Sequence, residues 1–148
     1  MSSTPNSCPL CRESGGLLVA QSPQWRVVRV TDTPDFPAFY RLIWNTHVAE
    51  FSDLPATERQ DCMERVAQIE QLLRRELQPT KINLATLGNV VPHLHWHVIA
   101  RFDWDSHFPN PIWGARLREP VPSSAQRLQA GLAALDACIA GQLAAAAR

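Results

Sequence analysis

The amino-acid sequence predicts an α+β fold: an antiparallel sheet of about five strands, with a long central helix and a C-terminal helix. Two observations lead to this prediction. Short apolar segments occur in two groups, and each group is followed by a long segment whose apolar residues recur every three or four positions. This order of strands, helix, strands and helix fits an antiparallel sheet better than repeated βαβ units. A length of 148 residues suits one domain with its own core.

The first group of predicted strands precedes the central helix. Leu17–Ala20 and Trp25–Val30 are predicted strands, and the tetrapeptide Gln-Ser-Pro-Gln between them predicts a hairpin. Two prolines interrupt the chain next, and Tyr40–Trp44 forms a third apolar run. The apolar period then changes, which predicts a helix over about Ala56–Leu77 that ends before Pro79.

The second group of strands follows that helix. Lys81–Leu87 returns to an extended pattern, and His93–Phe102 alternates along its whole length. Several prolines keep residues 103–122 irregular. The last predicted helix covers about Ser124–Ala147 and has one apolar face.

Composition and charge narrow the function. The chain has 14 basic and 14 acidic residues, so its formal net charge is zero. Broad binding of duplex nucleic acid or of an anionic membrane needs a basic excess, so no nucleic acid and no membrane is expected as a partner. The first seven residues lack a signal-peptide pattern, and the apolar run Leu132–Ala147 is too short and too polar for a membrane span. We therefore expect a cytoplasmic protein whose four cysteines form no disulfides.

The segment most informative about chemistry is the last predicted strand. Successive strand side chains point to opposite faces, so His93, His95 and His97 share one face and the apolar residues between them share the other. Repeated imidazoles suit neither a core nor an ordinary solvent face. Metal ligation and nucleophilic attack on phosphorus both use histidines in this way. At a rise of about 3.3 Å per residue, one ion bound by all three would need a strongly bent strand, so we expect them to divide these roles.

The histidine pattern also carries a family resemblance. His-Leu-His-Trp-His-Val-Ile at residues 93–99 resembles the signature of the histidine triad (HIT) family of nucleotide hydrolases and transferases. The segment around Asn83 and the Gly88-Asn89 turn resemble the family's asparagine strand and phosphate turn. The strand that ends near His47 resembles a further family landmark, and the resemblance covers roughly Cys8 to Arg101.

The resemblance implies roles for individual residues. It makes His95 the catalytic nucleophile and His97 a catalytic residue that contacts the phosphate. Asn83 and Asn89 are implied to bind the nucleotide or its phosphates, and Asp32 matches the acidic ribose-binding position. The nucleophile assignment is chemically sensible, because an imidazole is largely neutral at pH 7 and approaches phosphorus without anionic repulsion. The nucleotidyl-imidazole that results is cleaved by water or another acceptor.

Two positions depart from the family pattern. Many members have Gly-Gln followed by Ser or Thr where this chain has Gly88-Asn89-Val90. The Asn89 side chain is shorter than glutamine, and the Val90 side chain has no donor. Ala38-Phe39 replaces a common Gly-His dipeptide. These changes bear on leaving-group handling and substrate choice, and they leave the triad intact.

The N-terminal segment contains a C-x-x-C motif, Cys8 and Cys11, followed by a glycine turn. A redox role needs a helix that begins at the motif, and the sequence looks more like a metal knuckle. Structural zinc takes four Cys or His ligands, so two histidines are wanted. A subset of HIT proteins and the related galactose-1-phosphate uridylyltransferases hold zinc with such a motif, an upstream histidine and the first triad histidine. The resemblance therefore implies Cys8, Cys11, His47 and His93 as ligands of a structural zinc.

These observations predict a single HIT-like domain over residues 1–148, with a zinc knuckle in 1–16 and an irregular segment plus C-terminal helix in 103–148. Family resemblance implies a homodimer. The expected function is hydrolysis or transfer at the α-phosphate of a nucleotide conjugate, of the dinucleoside polyphosphate or nucleoside phosphoramidate class. Two alternatives stay open: a zinc metalloenzyme that uses the histidine strand as ligands, and a non-catalytic nucleotide-binding module. In the irregular segment, Trp104 or Trp113 is expected to contact nucleotide or a subunit interface, and His107 to lie in a surface loop.

Overall fold

The protein is built on one five-stranded sheet, seen in a computed structural model that describes residues 4–146. Its strands lie in the order β1-β2-β3-β5-β4, and every neighbouring pair is antiparallel. This architecture confirms the predicted α+β fold. The strands are β1 Leu17–Gln21, β2 Trp25–Arg29, β3 Phe39–Trp44, β4 Lys81–Ala85 and β5 His95–Arg101.

Three α-helices accompany the sheet: α1 Pro9–Arg12, α2 Ala56–Leu77 and α3 Ser124–Ala146. Short 3-10 turns occupy Pro5–Ser7 and Phe51–Asp53. The bounds of α2 agree with the prediction, because its apolar stripe is continuous and its end is marked. Gln78 closes the helix in the left-handed region at φ 48°, and the following proline cannot extend it.

One face of the sheet packs against α2 and α3 and forms the main core. From the sheet this core takes Val27, Leu42 and Val98, and from the helices it takes Ile69 and Ile139, all of them buried. Helix α3 is also held by polar contacts, because the Asp136 carboxylate accepts hydrogen bonds from Tyr40 and Arg29. As expected, Leu94, Val98 and Ala100 lie on this core side, and Trp96 packs against it.

The opposite face of the sheet is covered as well. The N-terminal segment packs Cys8 and Leu10 onto Val28 and Ile43. A second small cluster joins Val30, Phe36, Phe39 and Ile99. Of the triad histidines, His95 and His97 are on this second face and are buried there.

The start of β5 differs from the prediction. The strand begins at His95 and not at His93, because the chain is pulled aside just before it. The His93 amide donates to the Val91 carbonyl, and the Leu94 amide donates to the Val48 carbonyl. His93 is therefore freed from the strand alternation. Strand β4 likewise ends at Ala85, two residues before the predicted end.

Helix α3 has the length and composition of a membrane span, which the sequence-based prediction had excluded. The most apolar 18-residue window within residues 124–145 has a mean hydropathy of 1.3, and 17% of that window is buried in the protein. The face that carries Leu135, Ile139 and Leu143 packs into the main core. Ala147, at the predicted end of this helix, lies outside the described residues.

Candidate functional site

The centre of the second sheet face is formed by His95 and His97 on β5. Cross-strand pairing sets His95 opposite Ile43 and His97 opposite Arg41, so these four side chains share one face of the sheet. We call this surface the histidine face. Both histidines are buried, with 9% and 6% of their surface exposed, respectively.

A backbone hydrogen bond orients the His95 ring. Its Nδ1 lies 2.6 Å from the His93 carbonyl oxygen, which can only accept, so Nδ1 carries the proton. The lone pair is therefore on Nε2, the atom that can act as a nucleophile. Burial lowers the pKa of His95 below its usual 6.5, and the nearby Arg41 charge lowers it further, although the bond to His93 opposes the shift. From β4's end, Thr86 Oγ1 donates to the His95 carbonyl at 2.7 Å.

The His97 ring lies in an aromatic environment. Its centroid is 4.9 Å from that of His95, 5.3 Å from Phe39 and 5.3 Å from Trp113. Burial, reinforced by His95 and Arg41, lowers the pKa of His97 to about 3. The ring is thus neutral at pH 7. Its Nδ1 is buried without a hydrogen-bond partner, so it retains capacity for a polar ligand.

Arg41 is a member of this face that sequence reasoning missed. Its Nη1 donates to the Gly15 carbonyl at 3.1 Å, and its guanidinium carbon is 5.6 Å from the Phe39 ring centroid. Burial lowers the pKa of Arg41, and Asp32 raises it. An arginine stays charged through shifts of this kind. The available signal was a single charged residue inside the apolar run of β3, but its position beside His97 follows only from the strand register.

His93 belongs to a second cluster, at the edge of the histidine face. Its Nδ1 is 3.4 Å from each Sγ of Cys8 and Cys11 and 3.2 Å from His47 Nδ1. Cys11 Sγ is 3.3 Å from His47 Nδ1. One ligand atom from each of these four residues lies within 4.8 Å of the others. The structure therefore brings together all four metal ligands that the sequence predicted.

The cluster fits a tetrahedral metal ion. A tetrahedron with ordinary Zn–N and Zn–S bonds has edges of about 3.3–3.8 Å, which are close to the separations observed. His93 Nε2 lies 2.6 Å from the Trp44 carbonyl and donates to it, which leaves the Nδ1 lone pair directed at the cluster. In metal-bound histidines, the ring nitrogen that does not bind the metal usually donates a hydrogen bond of this kind. The donor set can therefore hold a metal ion.

Arg26 stabilises the chain around the two cysteines. Its guanidinium donates to the Leu10 and Glu13 carbonyls at 2.6 and 3.1 Å, and to the Asn45 side chain at 2.9 Å. Helix α1, a single turn, connects the two thiols, although the sequence predicted no helix here. A helix at the motif is what a redox role requires, but two histidines beside the thiols favour metal binding.

The remaining predicted residues lie around the histidine face. Asn83 projects from β4 to the same side, and its Oδ1 accepts from Arg101 Nη1 at 2.9 Å. The exposed Asp32 lines a cavity of about 330 Å³, together with Arg41 and the glycine turn that follows the knuckle. Asn89 is exposed in the loop between β4 and β5.

The two tryptophans of the irregular segment have different environments. Trp113 packs edge-on against His97 and lines a second cavity, of about 560 Å³, beside Asn83. Trp104 instead stacks on Phe102 and lies under the Arg127 guanidinium, away from the histidines. Of the two, Trp113 is the one placed to meet a ligand. His107 is partly buried, beside Ser106 and Phe36.

The fold and the site together define an α+β protein with a buried, oriented histidine on an interior strand of its sheet and a Cys₂His₂ cluster beside it. The sequence matches the family profile described as HIT domain over residues 16–104. The chain belongs to the HIT family. A search of curated proteins found no match.

Solved structures of bacterial HIT proteins resemble this one closely. A histidine triad protein from Bradyrhizobium japonicum is 27% identical, covers 82% of this chain and 89% of its own, and gives a TM-score of 0.66. One from Marinobacter aquaeolei is 25% identical with a TM-score of 0.71, over 88% of this chain and 92% of its own. One from Sinorhizobium meliloti, 24% identical, covers 90% and 97% with a TM-score of 0.68 and shows the shared fold.

Proposed function

We propose that the protein is a nucleotide hydrolase or nucleotidyl transferase that acts at the α-phosphate of a nucleotide conjugate. The observation that carries this proposal is the orientation of His95. Its Nδ1 proton is held by the His93 carbonyl at 2.6 Å, which leaves Nε2 as a neutral nucleophile. HIT family membership supports action on nucleotides.

The reaction runs in two displacements. His95 Nε2 attacks the α-phosphorus, and the bond from phosphorus to the leaving group breaks with its electron pair on the leaving group, which takes up a proton from solvent. The nucleotidyl-imidazolium that forms keeps its Nδ1 proton, so the His93 carbonyl stabilises its positive charge. Water or another acceptor then attacks phosphorus and loses a proton. The P–N bond breaks, and neutral His95 is restored.

Other residues bind the substrate in this proposal. His97 contacts the phosphate through its ring nitrogen, and Asn83 and Asn89 bind the nucleotide or its phosphates. Asp32 binds the ribose from the cavity of about 330 Å³ that it lines. Dinucleoside polyphosphates and nucleoside phosphoramidates are the substrate classes that we propose.

We assign a structural role to the metal cluster and propose zinc as its ion. Two thiolates and two imidazoles are a common zinc donor set, and four protein ligands leave no open position for substrate. Among the described residues, the cluster includes His93 and neither His95 nor His97. This division of roles favours the proposal that His95 acts as a nucleophile over the alternative that the whole histidine strand ligates a catalytic metal.

The direct test is a turnover assay on several AMP conjugates, with acid quenching and mass spectrometry of the protein. We expect release of the nucleoside monophosphate and a nucleotidyl adduct on the peptide that contains His95. Turnover that disappears on chelation while the fold persists would favour the metalloenzyme. If the protein bound nucleotide but released no nucleoside monophosphate from any conjugate, the result would support the non-catalytic nucleotide-binding module.

The proposal extends to the state of the protein in the cell. We propose a cytoplasmic homodimer, because reduced thiols suit the cluster and because the edge strand β4 exposes 39% of Leu84. Its partners are nucleotide-type small molecules, without nucleic acid or membrane. Light scattering at micromolar concentration tests the dimer, and a stable monomer would contradict it.

A further inference from the structure

Three arginines project from the strands to the histidine face, and they differ in how their charge is used. Arg26 is bound by carbonyls and Asn45. Arg101 forms a buried ion pair with Asp105 at 2.8 Å. Arg41 has one hydrogen bond from Nη1 to the Gly15 carbonyl, and its Nε is buried with no partner. A buried donor of a charged group without an acceptor is costly, and such positions call for an explanation.

The position of Arg41 relates it to the proposed reaction. It is the cross-strand neighbour of His97, and its charge lies close enough to that ring to help lower its pKa. It also lines the cavity that contains Asp32. Arg41 thus borders this cavity and also neighbours His97 across the strands.

The electrostatics of this face favour an anionic ligand. Burial lowers the pKa of His97 to about 3, so this neighbour of Arg41 supplies no positive charge to a phosphate at pH 7. Asp32, the carboxylate that raises the pKa of Arg41, is exposed, and the two residues form no ion pair among the described residues. A half-buried cation that lacks a carboxylate partner is suited to an oxyanion, because charge-assisted hydrogen bonds to phosphate are strong.

We propose that Arg41 binds the phosphate of the nucleotide, donating from Nε to a non-bridging oxygen beside His97. The proposal rests on the proposed function for the identity of the anion. It assigns to Arg41 the discrimination between a nucleotide and the uncharged nucleoside. The protein then selects its substrates by the charge on the α-phosphate as well as by the base and ribose.

The rival explanation is structural. Arg41 also ties β3 to the knuckle through the Gly15 carbonyl, so its loss could loosen the N-terminal segment without any role in binding. A structural role would weaken the binding of nucleotide and nucleoside alike. A phosphate-binding role weakens only the former, so the ratio of the two affinities separates the explanations.

The experiment measures Kd by calorimetry for whichever of AMP, GMP, CMP and UMP binds best, and for the matching nucleoside. Arg41→Met keeps the aliphatic stem and removes the charge, and Arg41→Lys keeps the charge without the planar fork. Arg74→Met is the matched control, because Arg74 is exposed on α2 and its loss changes the net charge equally. Thermal melting of each variant checks the fold.

We expect Arg41→Met to weaken the binding of the monophosphate by about 10- to 100-fold, the loss typical of a charged hydrogen bond. The affinity for the nucleoside should change by less than about twofold. Arg41→Lys should recover part of the loss, and Arg74→Met should match the wild type. The salt dependence of monophosphate binding should also become shallower in Arg41→Met.

An unchanged ratio of the two affinities in Arg41→Met would overturn the proposal, as would a wild-type protein that binds no monophosphate. The proposed function fails on a different result: the wild type binds the monophosphate but releases none from any conjugate and forms no adduct. In that case the Arg41 assignment is still decided by the binding ratio.

Discussion

At the scale of single residues, two backbone carbonyls determine the chemistry of two neighbouring histidines. The His93 carbonyl holds the Nδ1 proton of His95 and leaves Nε2 as the reactive atom. The Trp44 carbonyl holds the Nε2 proton of His93 and leaves Nδ1 directed at the cysteines. The two rings therefore present opposite nitrogens, which suits one for attack on phosphorus and the other for metal ligation.

The nucleophile role that we propose for His95 predicts the effect of its removal. His95→Ala should abolish turnover and the covalent adduct, while nucleotide affinity stays within about tenfold, because a nucleophile acts mainly in the transition state. Steady-state kinetics and mass spectrometry measure the first two, and calorimetry measures the third. His107→Ala is the control, since His107 lies in the loop after β5 and bonds to Ser106. If His95→Ala kept a tenth of the wild-type activity, the assignment of His95 as the nucleophile would be contradicted.

The low pKa of His97 predicts a dependence of stability on pH. In the unfolded chain this histidine takes up a proton below about pH 6.5, whereas in the folded protein it does so only near pH 3. The contribution of His97 to folding stability is therefore fully present above pH 6.5, and it is lost as the pH drops towards 3. Between pH 7 and 5 the loss is up to about 2 kcal/mol from this residue.

His97→Phe tests that dependence, because phenylalanine keeps a planar ring and cannot titrate. We expect the free energy of unfolding, measured in urea at pH 7 and pH 5, to fall less in the variant by up to about 2 kcal/mol. The four metal ligands are the same in both proteins, so acid release of metal cancels in the comparison. Equal losses in the two proteins would show that His97 is protonated normally.

How much of the site is predictable from sequence depends on the range of the interactions involved. Strand alternation alone puts His95 and His97 on one face, and the structure agrees. The roles of His93 and Arg41 depend on contacts between distant segments. His93 leaves the alternation because of bonds to Val91 and Trp44, and Arg41 meets His97 only through the register of β3 and β5. No local pattern specifies either contact.

At the scale of elements, α2 was predicted well because its signals are local. An apolar stripe at helical spacing is bounded by Pro55 and Pro79, and the helix runs over Ala56–Leu77 as expected. The strand ends were predicted less well, since hydrogen bonds across the sheet decide them. Strand β4 ends at Ala85, and beyond it the side chain of Thr86 donates to the His95 carbonyl.

Helix α3 depends on one polar anchor as well as on its apolar face. Asp136 accepts from the Tyr40 hydroxyl at 2.7 Å and from Arg29 Nε at 3.0 Å. Burial and the neighbouring carboxylate raise the pKa of Tyr40, so the hydroxyl keeps its proton and remains a donor. Removing the acceptor leaves a buried hydroxyl and a partly buried guanidinium unpaired.

Asp136→Ala should therefore lower the free energy of unfolding by about 2–3 kcal/mol, as expected for lost hydrogen bonds to a charged group. Urea denaturation measures this value. Glu64→Ala, an exposed carboxylate on α2, should stay within about 0.5 kcal/mol. If the two variants were equally stable, α3 would be held by its apolar contacts alone.

At the scale of the whole molecule, the metal cluster connects segments that are far apart in the sequence. Cys8 and Cys11 come from the N-terminal segment, His47 follows β3, and His93 precedes the histidine strand. Other contacts also join the N-terminal segment to the sheet. Leu10 packs on Val28 and Ile43, Arg26 donates to the Leu10 carbonyl, and Arg41 donates to the Gly15 carbonyl. A metal ion at this place therefore couples the fold of the N-terminus to the position of His95.

Because the unfolded chain has no such site, metal binding should add directly to folding stability. We expect about one zinc per chain in protein purified without chelators, and almost none in Cys8→Ser. At a free zinc concentration 100-fold above its Kd, the stabilisation lost is about 2.7 kcal/mol, which lowers the melting temperature by about 5–10 °C. Turnover should fall only secondarily, through displacement of the strand that carries His95. Metal analysis and thermal melting measure the effects.

Cys138→Ser provides the matched control, because this thiol lies on α3, bonded to Arg75 and outside the cluster. It should keep both its zinc and its melting temperature, and so show that the loss in Cys8→Ser is not a general effect of removing a thiol. A wild-type zinc content near zero, with Cys8 and Cys11 freely reactive towards a thiol reagent, would contradict the assignment. His93 would then orient His95 through its carbonyl, and the N-terminal segment would be held by Arg26, Arg41 and Leu10.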